Sequence, residues 1–141
     1  MIEEYIADIC DLLDIDVPKI SYDTSHFPTN STMAMCDNKN TIYLRDIYKP
    51  NPDYMFSIAH ELRHLWQIET NKSFFFRNYK SSKELSVEKY NLQIAEIDAN
   101  AFAAIIMINW FTLQPQWNNL SDKVVVAINN RINKLSHELD L

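Results

Sequence analysis

Apolar residues recur every three or four positions in long stretches of the chain, which is the spacing of amphipathic helices. The first such stretch covers residues 2–14. Another runs from about residue 53 to residue 69, and Asn51 or Asp53 stands where its N-terminal cap is expected. The last begins at Ser121 and carries a single apolar stripe made of Val125, Ile128, Ile132, Leu135 and Leu139. The pattern therefore predicts helices at both ends of the chain and one in the middle.

A further long helix is predicted to begin near Ser81, because Ser81 and Glu84 have the spacing of a capping box. It continues to Ile108 or beyond, and Ser86 is a point at which it could be interrupted. The connector before it, residues 71–80, carries three consecutive phenylalanines at positions 74, 75 and 76. They either cover the core or form a hydrophobic surface beside a cleft, and burial is the commoner fate of such residues.

Runs of β-forming residues in the first third of the chain predict a small sheet. Residues 17–22 favour a short strand, and residues 32–36 and 41–44 flank an Asp-Asn-Lys-Asn turn, the arrangement of a hairpin. The chain contains no glycine, so its turns must use Asn, Asp and Pro. No repeat or linker divides the sequence, which predicts one α+β domain over residues 1–141.

Composition narrows the classes of function. Hydrophobic residues make up 47% and charged residues 23% of the chain, as in ordinary globular proteins. The net charge of −6, with scattered Lys and Arg, argues against a nucleic-acid partner. The longest apolar run, residues 101–108, is far shorter than the ~20 residues of a membrane span. We expect no membrane partner.

The N-terminal segment and the cysteines indicate a cytoplasmic protein. The chain is acidic from residue 3 onward and lacks the basic start of a secretion signal. Cys10 and Cys36 are too few and too isolated for a disulfide scaffold, and we expect two reduced, buried thiols. Met33, Met35, Met107 and Trp110 are also predicted to lie in the core.

The segment HELRH, residues 60–64, carries the clearest chemistry. At 3.6 residues per turn, His60 and His64 lie one turn apart on the same helix face and can share a cation. Glu61 is beside the first imidazole and can act on a water molecule at that cation. This is the HExxH arrangement of zinc peptidases, with two histidine ligands and a glutamate base. We therefore predict Zn²⁺ as the cofactor.

The third protein ligand must come from elsewhere. An extended site with histidine at position 70 is excluded, because that residue is threonine. His26 lies in a polar loop, and a second HExx spelling at residue 137 lacks its later histidine. Glu96 is the best candidate, since its helix can pack beside the HELRH helix. The small residues Ala99 and Ala103 would allow a close approach.

Asn100 lies four residues after Glu96, on the same helix face. Its side-chain oxygen can accept the second ring N–H of a ligating histidine. Asp98 is an alternative ligand, although it points about 200° away from Glu96 around the helix. Glu84 and Glu88 are weaker alternatives.

The two motifs together resemble the ImmA/IrrE-type metallopeptidase domain. HELRH follows a short hairpin and precedes E-x-D-A-N-x-F-A at residues 96–103, and the resemblance extends over about residues 17–108. It implies a zincin-like fold, with the sheet against the HELRH helix and a second long helix bearing the third ligand. It also implies Glu96 as that ligand, Asn100 as its companion, and a protein substrate such as a transcriptional repressor. The chain departs from such motifs in having Arg63 where glycine is frequent and Asp98 where glutamate is commoner.

These residues predict a zinc-dependent metallopeptidase in which Glu61 is the general base. The alternative is a catalytically inactive metal-binding or protein-interaction module on the same fold. An additional donor for the oxyanion is expected, and the sequence does not choose among Tyr43, Tyr48, Tyr79, Tyr90 and Arg63. Either hairpin strand could hold an extended substrate by strand addition. The oligomeric state is left open.

Overall fold

A computed structural model describes residues 1–141 and contains five helices and three short strands. The elements in chain order are α1 (Ile2–Leu13), β1 (Lys19–Ser21), β2 (Ala34–Cys36), β3 (Thr41–Leu44), α2 (Pro52–Phe76), α3 (Val87–Asn91), α4 (Ile94–Phe111) and α5 (Asp122–Leu139). The α+β class is confirmed, with a small mixed sheet packed on the long helix α2. This arrangement is consistent with the zincin-like fold implied by the resemblance.

The three strands form one sheet in the order β1-β3-β2. Strand β3 pairs in parallel with β1 and antiparallel with β2, and Cys36 of β2 stands opposite Ile42 of β3. The predicted hairpin is therefore confirmed. Asp37 closes its turn, because its carboxylate accepts hydrogen bonds from the Lys39 and Thr41 amides. Strand β2 has a neighbour on one side only and forms an edge of the sheet.

Backbone turns in this glycine-free chain are made by Asn and Asp. Five of the six residues with positive φ are of these types, namely Asp14, Asn40, Asn78, Asn119 and Asp140. Their short polar side chains tolerate the left-handed conformation better than other non-glycine residues do. The exception is Thr112 at the end of α4, with φ of 55°.

Helix α2 begins as predicted and ends later than predicted. The Asn51 side chain caps it by accepting a hydrogen bond from the Tyr54 amide, and Pro52 follows the cap. The helix kinks at Asn71, where φ is −155° and ψ is 64°, and then continues to Phe76. Asn71 caps the part of the helix after the kink, because its side-chain oxygen accepts a hydrogen bond of 3.4 Å from the Phe74 amide. The prediction of an irregular connector from residue 71 was therefore partly wrong.

The helix predicted to begin near Ser81 is interrupted, as was allowed for at Ser86, and its predicted start at Ser81 was wrong. Residues 81–86 form turns, the short helix α3 is capped by the Ser86 side chain, and α4 begins only at Ile94. The Ser81 amide donates a hydrogen bond to the Glu84 carboxylate, which is one of the two bonds of a capping box, but no helix begins there. Gln93 instead fixes the break by hydrogen bonding the Lys80 amide and carbonyl.

The core lies where α2 and α4 pack together beneath the sheet and α1. Ala99 and Ala103 are fully buried, as expected for small residues at a close helix contact. Helix α4 is apolar and long enough to span a membrane by length and composition, but 67% of it is buried within the protein. Helices buried in a protein core have the same length and apolar composition, so we attribute the apolar character of α4 to core packing.

The predicted core methionines and tryptophan have different environments. Met107 is buried and Met33 packs against the core, whereas Met35 is only half-buried. Trp110 is 37% exposed, so its placement in the core was wrong. It lies near the end of α4, where its ring makes an edge contact with Tyr5.

Candidate metal centre

The side chains of His60, His64 and Glu96 converge on one point between α2 and α4. His60 Nε2 lies 3.4 Å from Glu96 Oε1, and His64 Nε2 lies 2.9 Å from Glu96 Oε2. One donor atom from each of the three residues lies within 4.8 Å of the other two. The structure thus brings together the three residues that the sequence offered as metal ligands.

Helix geometry positions this cluster. His60 and His64 stand one turn apart on α2, with their ring centroids 4.6 Å apart and the rings nearly perpendicular. Glu96 lies in the first turn of α4, where the partial positive charge of the helix N-terminus favours a carboxylate. Its side chain is buried at 2% exposure, which leaves it facing the imidazoles rather than solvent.

The Glu96 carboxylate and the His64 imidazole stabilise each other's charge. Burial alone would lower the pKa of His64, but the hydrogen bond and charge of Glu96 outweigh it and raise the pKa to about 9. Burial would likewise raise the pKa of Glu96, but hydrogen bonds from His60 and His64 hold it well below its usual range. The site is therefore built around a buried ionised carboxylate that requires positive charge beside it.

The far ring nitrogens of both histidines have side-chain partners. Asn100 Oδ1 lies 2.8 Å from His60 Nδ1, in the place predicted for it. Gln67 Oε1 lies 2.8 Å from His64 Nδ1, a contact that sequence reasoning missed. The available signal was its spacing, because Gln67 follows His64 by three residues on the same face of α2.

Glu61 lies beside the cluster and is half-buried. Burial raises the pKa of its carboxyl above the usual range, although the charges of His64 and His60 oppose that rise. The Cys36 thiol on β2 donates a hydrogen bond of 3.8 Å to Glu61 Oε2. A carboxyl with a raised pKa holds an accepted proton better than an ordinary glutamate does.

The two cysteines are free, as expected, but only one is a core residue. Cys10 is buried in α1 at 1% exposure. Cys36 is half-buried and faces Glu61, so the expectation of a second inert buried thiol was wrong for Cys36. Its position on the edge strand places it beside the candidate base.

Asp98 does not belong to the group formed by His60, His64 and Glu96. Its carboxylate accepts hydrogen bonds from Arg63 at 2.7 and 3.1 Å and forms an ion pair with Arg131 of α5 at 2.7 Å. Burial would raise the pKa of Asp98, but these contacts, that with Arg63 foremost, lower it. Asp98 as an alternative ligand was therefore wrong. Arg63 is bound to it and buried at 1% exposure, which removes Arg63 from the oxyanion donors.

Of the four tyrosines considered as oxyanion donors, two lie at the site and two lie elsewhere. The Tyr79 hydroxyl donates to Glu96 Oε2 at 2.8 Å and lies 3.0 Å from the Tyr90 hydroxyl. Tyr43 instead donates to Asp37, and Tyr48 is 94% exposed. Tyr79 and Tyr90 are thus the two tyrosines at the cluster.

Aromatic rings flank the histidines, and a groove opens beside them. Phe56 stacks on His60 with centroids 6.5 Å apart, and Phe76 lies 6.0 Å from the His64 ring. A groove of about 640 Å³ is lined by Phe56, Asn100 and Trp117 among other residues, and the Trp117 ring makes an edge contact with Phe56 at 5.9 Å. The connector phenylalanines have mixed environments, since Phe76 lies at the site whereas Phe74 is 53% exposed.

The remaining candidates from the sequence lie elsewhere. His26 is exposed in the loop after β1, and Glu84 and Glu88 are exposed before α4. None belongs to the cluster formed by the two histidines of α2 and the glutamate of α4.

Comparison with known protein families places this geometry in context. The family model described as the IrrE N-terminal-like domain matches residues 10–139, which includes every residue of the cluster. No curated protein and no solved structure matches the chain.

Proposed function

Because the chain belongs to the IrrE N-terminal-like family, whose domain is of the metallopeptidase type, we propose that it is a zinc-dependent peptidase acting on a protein substrate. The observation that carries the proposal is the convergence of His60, His64 and Glu96 next to Glu61. The membership agrees with the resemblance recognised in the sequence.

The donor set fits zinc. Two imidazole nitrogens and one carboxylate form a recurring ligand set of catalytic zinc sites, which leave a fourth position for water. The donor atoms lie within 4.8 Å of one another, close enough to share one ion. Zinc bound there would polarise the scissile carbonyl and lower the pKa of water to about 7.

Glu61 is the proposed general base. Its carboxylate takes a proton from the attacking water and later gives it to the leaving amine. Its raised pKa makes that return of the proton easier than it would be for an ordinary glutamate. Tyr90 is the proposed donor toward the developing oxyanion, because the single hydroxyl proton of Tyr79 is already donated to Glu96.

The edge strand β2 is the proposed docking strand for an extended substrate. Strand β3 has neighbours on both sides and cannot accept another strand, whereas the outer edge of β2 has no strand beside it. Cys36 of β2 contacts Glu61, so a chain paired with β2 would pass the base. The groove lined by Phe56, Asn100 and Trp117 is the proposed pocket for a substrate side chain.

The proposal includes a cellular setting based on the family. We propose a cytoplasmic enzyme whose substrate is a folded regulatory protein, with a DNA-binding repressor as the first candidate. The two cysteines are not paired with each other, which agrees with this proposed setting. The inactive binding module is less well supported, because Glu61 has no role in a site that only holds metal.

The test is cleavage of a random peptide library followed by mass spectrometry, for the zinc-loaded wild type and for Glu61→Gln. We expect cleavage by the wild type and a loss of at least about 10²–10⁴-fold in the variant, with zinc still bound. The matched control is Glu69→Gln, which changes an exposed glutamate on the same helix and should cleave normally. Equal cleavage by Glu61→Gln would refute the mechanism, and a zinc-loaded wild type that cuts no peptide would favour the binding module.

A further inference from the structure

Gln67 is a polar side chain in the interior of the protein with no role in the mechanism above. It is 0% exposed on the buried face of α2. A buried amide is costly unless its donors and acceptor are all bonded, so its contacts have to be accounted for individually. Gln67 makes three hydrogen bonds, and they reach two different helices.

The partners of the Gln67 nitrogen fix the orientation of its amide. Nε2 lies 3.0 Å from the Ala95 carbonyl oxygen and 2.8 Å from Asp98 Oδ2. Both partners accept hydrogen bonds and neither can donate, because Asp98 is ionised between two arginines. The NH₂ group must therefore face them, and Oε1 must face His64.

This orientation determines where His64 carries its proton. Gln67 Oε1 can only accept, and it lies 2.8 Å from His64 Nδ1. Nδ1 must therefore be the protonated nitrogen when the ring is neutral, which leaves the lone pair on Nε2. Nε2 is the atom that faces Glu96 in the metal cluster.

Asp98 in turn is held from two sides. Arg63 of α2 and Arg131 of α5 both contact its carboxylate at 2.7 Å. Arg63 is held over the Trp66 ring at 3.6 Å, which restricts the guanidinium further. A chain of contacts thus runs from α5 through Asp98 and Gln67 to the His64 ring.

We propose that Gln67 is a positioning residue that keeps the His64 proton on Nδ1 and presents Nε2 to the metal, with the Asp98 ion pairs locking its amide. The inference rests on the proposed function, because it requires a metal at the cluster. The partner of His60 is anchored differently. Asn100 makes one side-chain hydrogen bond, to the His60 ring, whereas the Gln67 amide is also bonded to Ala95 and Asp98. The orientation of His64 is therefore fixed by more contacts than that of His60.

The test measures zinc affinity by competition with a chelator for the wild type, Gln67→Met and Gln93→Met. Methionine matches the length of glutamine, but its thioether sulfur is only a weak acceptor for the His64 N–H. We expect Gln67→Met to bind zinc about 10–100-fold more weakly. The control, Gln93→Met, loses backbone hydrogen bonds of a similar kind but contacts neither imidazole, and should stay within about twofold.

A second measurement on the zinc-loaded protein separates positioning from general destabilisation. Nitrogen-15 NMR of labelled histidines should show a slowly exchanging Nδ1 proton on His64 in the wild type. In Gln67→Met this exchange should accelerate while that of His60 is unchanged. If Gln67→Met does not fold, the wild-type spectrum still tests the proposal, because an unprotected Nδ1 proton on His64 would contradict it.

The proposal would be overturned by zinc binding by Gln67→Met as tight as that of the wild type, or by a wild-type His64 whose Nδ1 carries no protected proton. An equal loss of affinity in Gln93→Met would also overturn it. Failure of the wild type to bind zinc at all would instead contradict the proposed function, so the two failures are distinguishable.

Discussion

The Tyr79 hydroxyl donates a 2.8 Å hydrogen bond to Glu96 Oε2, which links the connector after α2 to the carboxylate of the candidate metal site. The Tyr79 ring packs on Phe76 at 5.1 Å, and Phe76 in turn lies beside His64. The connector therefore covers the side of the cluster that faces the end of α2. Burial and then the charge of Glu96 raise the pKa of Tyr79, so the hydroxyl keeps its proton as donor.

Tyr79→Phe should weaken zinc binding. The substitution removes a hydrogen bond to a buried carboxylate, and such bonds to charged groups contribute about 1.5–3 kcal/mol. We expect roughly tenfold lower zinc affinity in a chelator competition. Tyr48→Phe, at a 94% exposed position, is the matched control and should bind as the wild type does. Equal affinity of Tyr79→Phe and Tyr48→Phe would show that the hydroxyl does not support Glu96.

Asp98→Asn should destabilise the fold strongly. Asp98 accepts from Arg63, Arg131 and Gln67, and an asparagine amide would direct its NH₂ at one of these donors. Removing one partner of a buried ion pair costs about 3–5 kcal/mol. Urea denaturation at pH 7 measures this loss, with the exposed Asp46→Asn as a control that changes stability by less than about 0.5 kcal/mol.

The same ion pairs predict sensitivity to acid. The pKa of Asp98 is lowered in the folded protein, so its stabilising contribution is present above the unfolded value of 3.8. That contribution is lost as pH falls through the lower, folded pKa. The unfolding free energy of Asp98→Asn should therefore fall less than that of the wild type over this acidic range. Parallel curves for the two proteins would contradict the assignment.

Zinc affinity should rise with pH up to about 9. The folded pKa of His64 is about 9, so below that value a proton on Nε2 must leave before zinc can bind. We expect about a tenfold gain in affinity for each pH unit between roughly pH 7 and 8. Stability without zinc should change in the opposite sense, because the His64–Glu96 pair contributes fully below the unfolded pKa of 6.5 and is lost as pH rises through about 9. Affinity that does not depend on pH would refute this coupling.

Much of this arrangement follows from local sequence signals. The spacing of His60 and His64 requires only a helix, and Asn51 and Pro52 begin that helix as their residue types predict. The hairpin was also predictable from local residue types, because its turn is four residues long and includes Asp37 and Asn40. Glu96 could be proposed because small residues follow it on a helix able to approach α2 closely.

The parts that were missed depend on contacts between distant segments. The break before α4 is fixed by Gln93 binding the Lys80 backbone, 13 residues away in sequence. Asp98 is bonded to Arg131 of α5, which lies 33 residues later in the sequence, and no spacing rule predicts that contact. Cys36 likewise meets Glu61 only because β2 packs on α2. Local sequence patterns predict the helices and strands and the spacing of the metal ligands. The hydrogen-bond partner of each side chain depends on how these helices and strands pack.

Thr112→Gly should stabilise the protein. Thr112 has φ of 55° at the end of α4, and a β-branched residue in the left-handed region is strained. Relief of that strain outweighs the extra chain entropy of glycine, and we expect a gain of about 1 kcal/mol in unfolding free energy. Asn119→Gly is the control, because asparagine already tolerates its φ of 65°. A Thr112→Gly variant less stable than the wild type would disprove the strain.

The most direct test of the central claim is an anomalous diffraction map recorded at the zinc edge from crystals of the zinc-loaded protein. We predict one strong peak within coordination distance of His60 Nε2, His64 Nε2 and a Glu96 carboxylate oxygen, at about 2.0–2.2 Å from each. A map with no peak there, or with zinc bound only at other residues, would contradict the account.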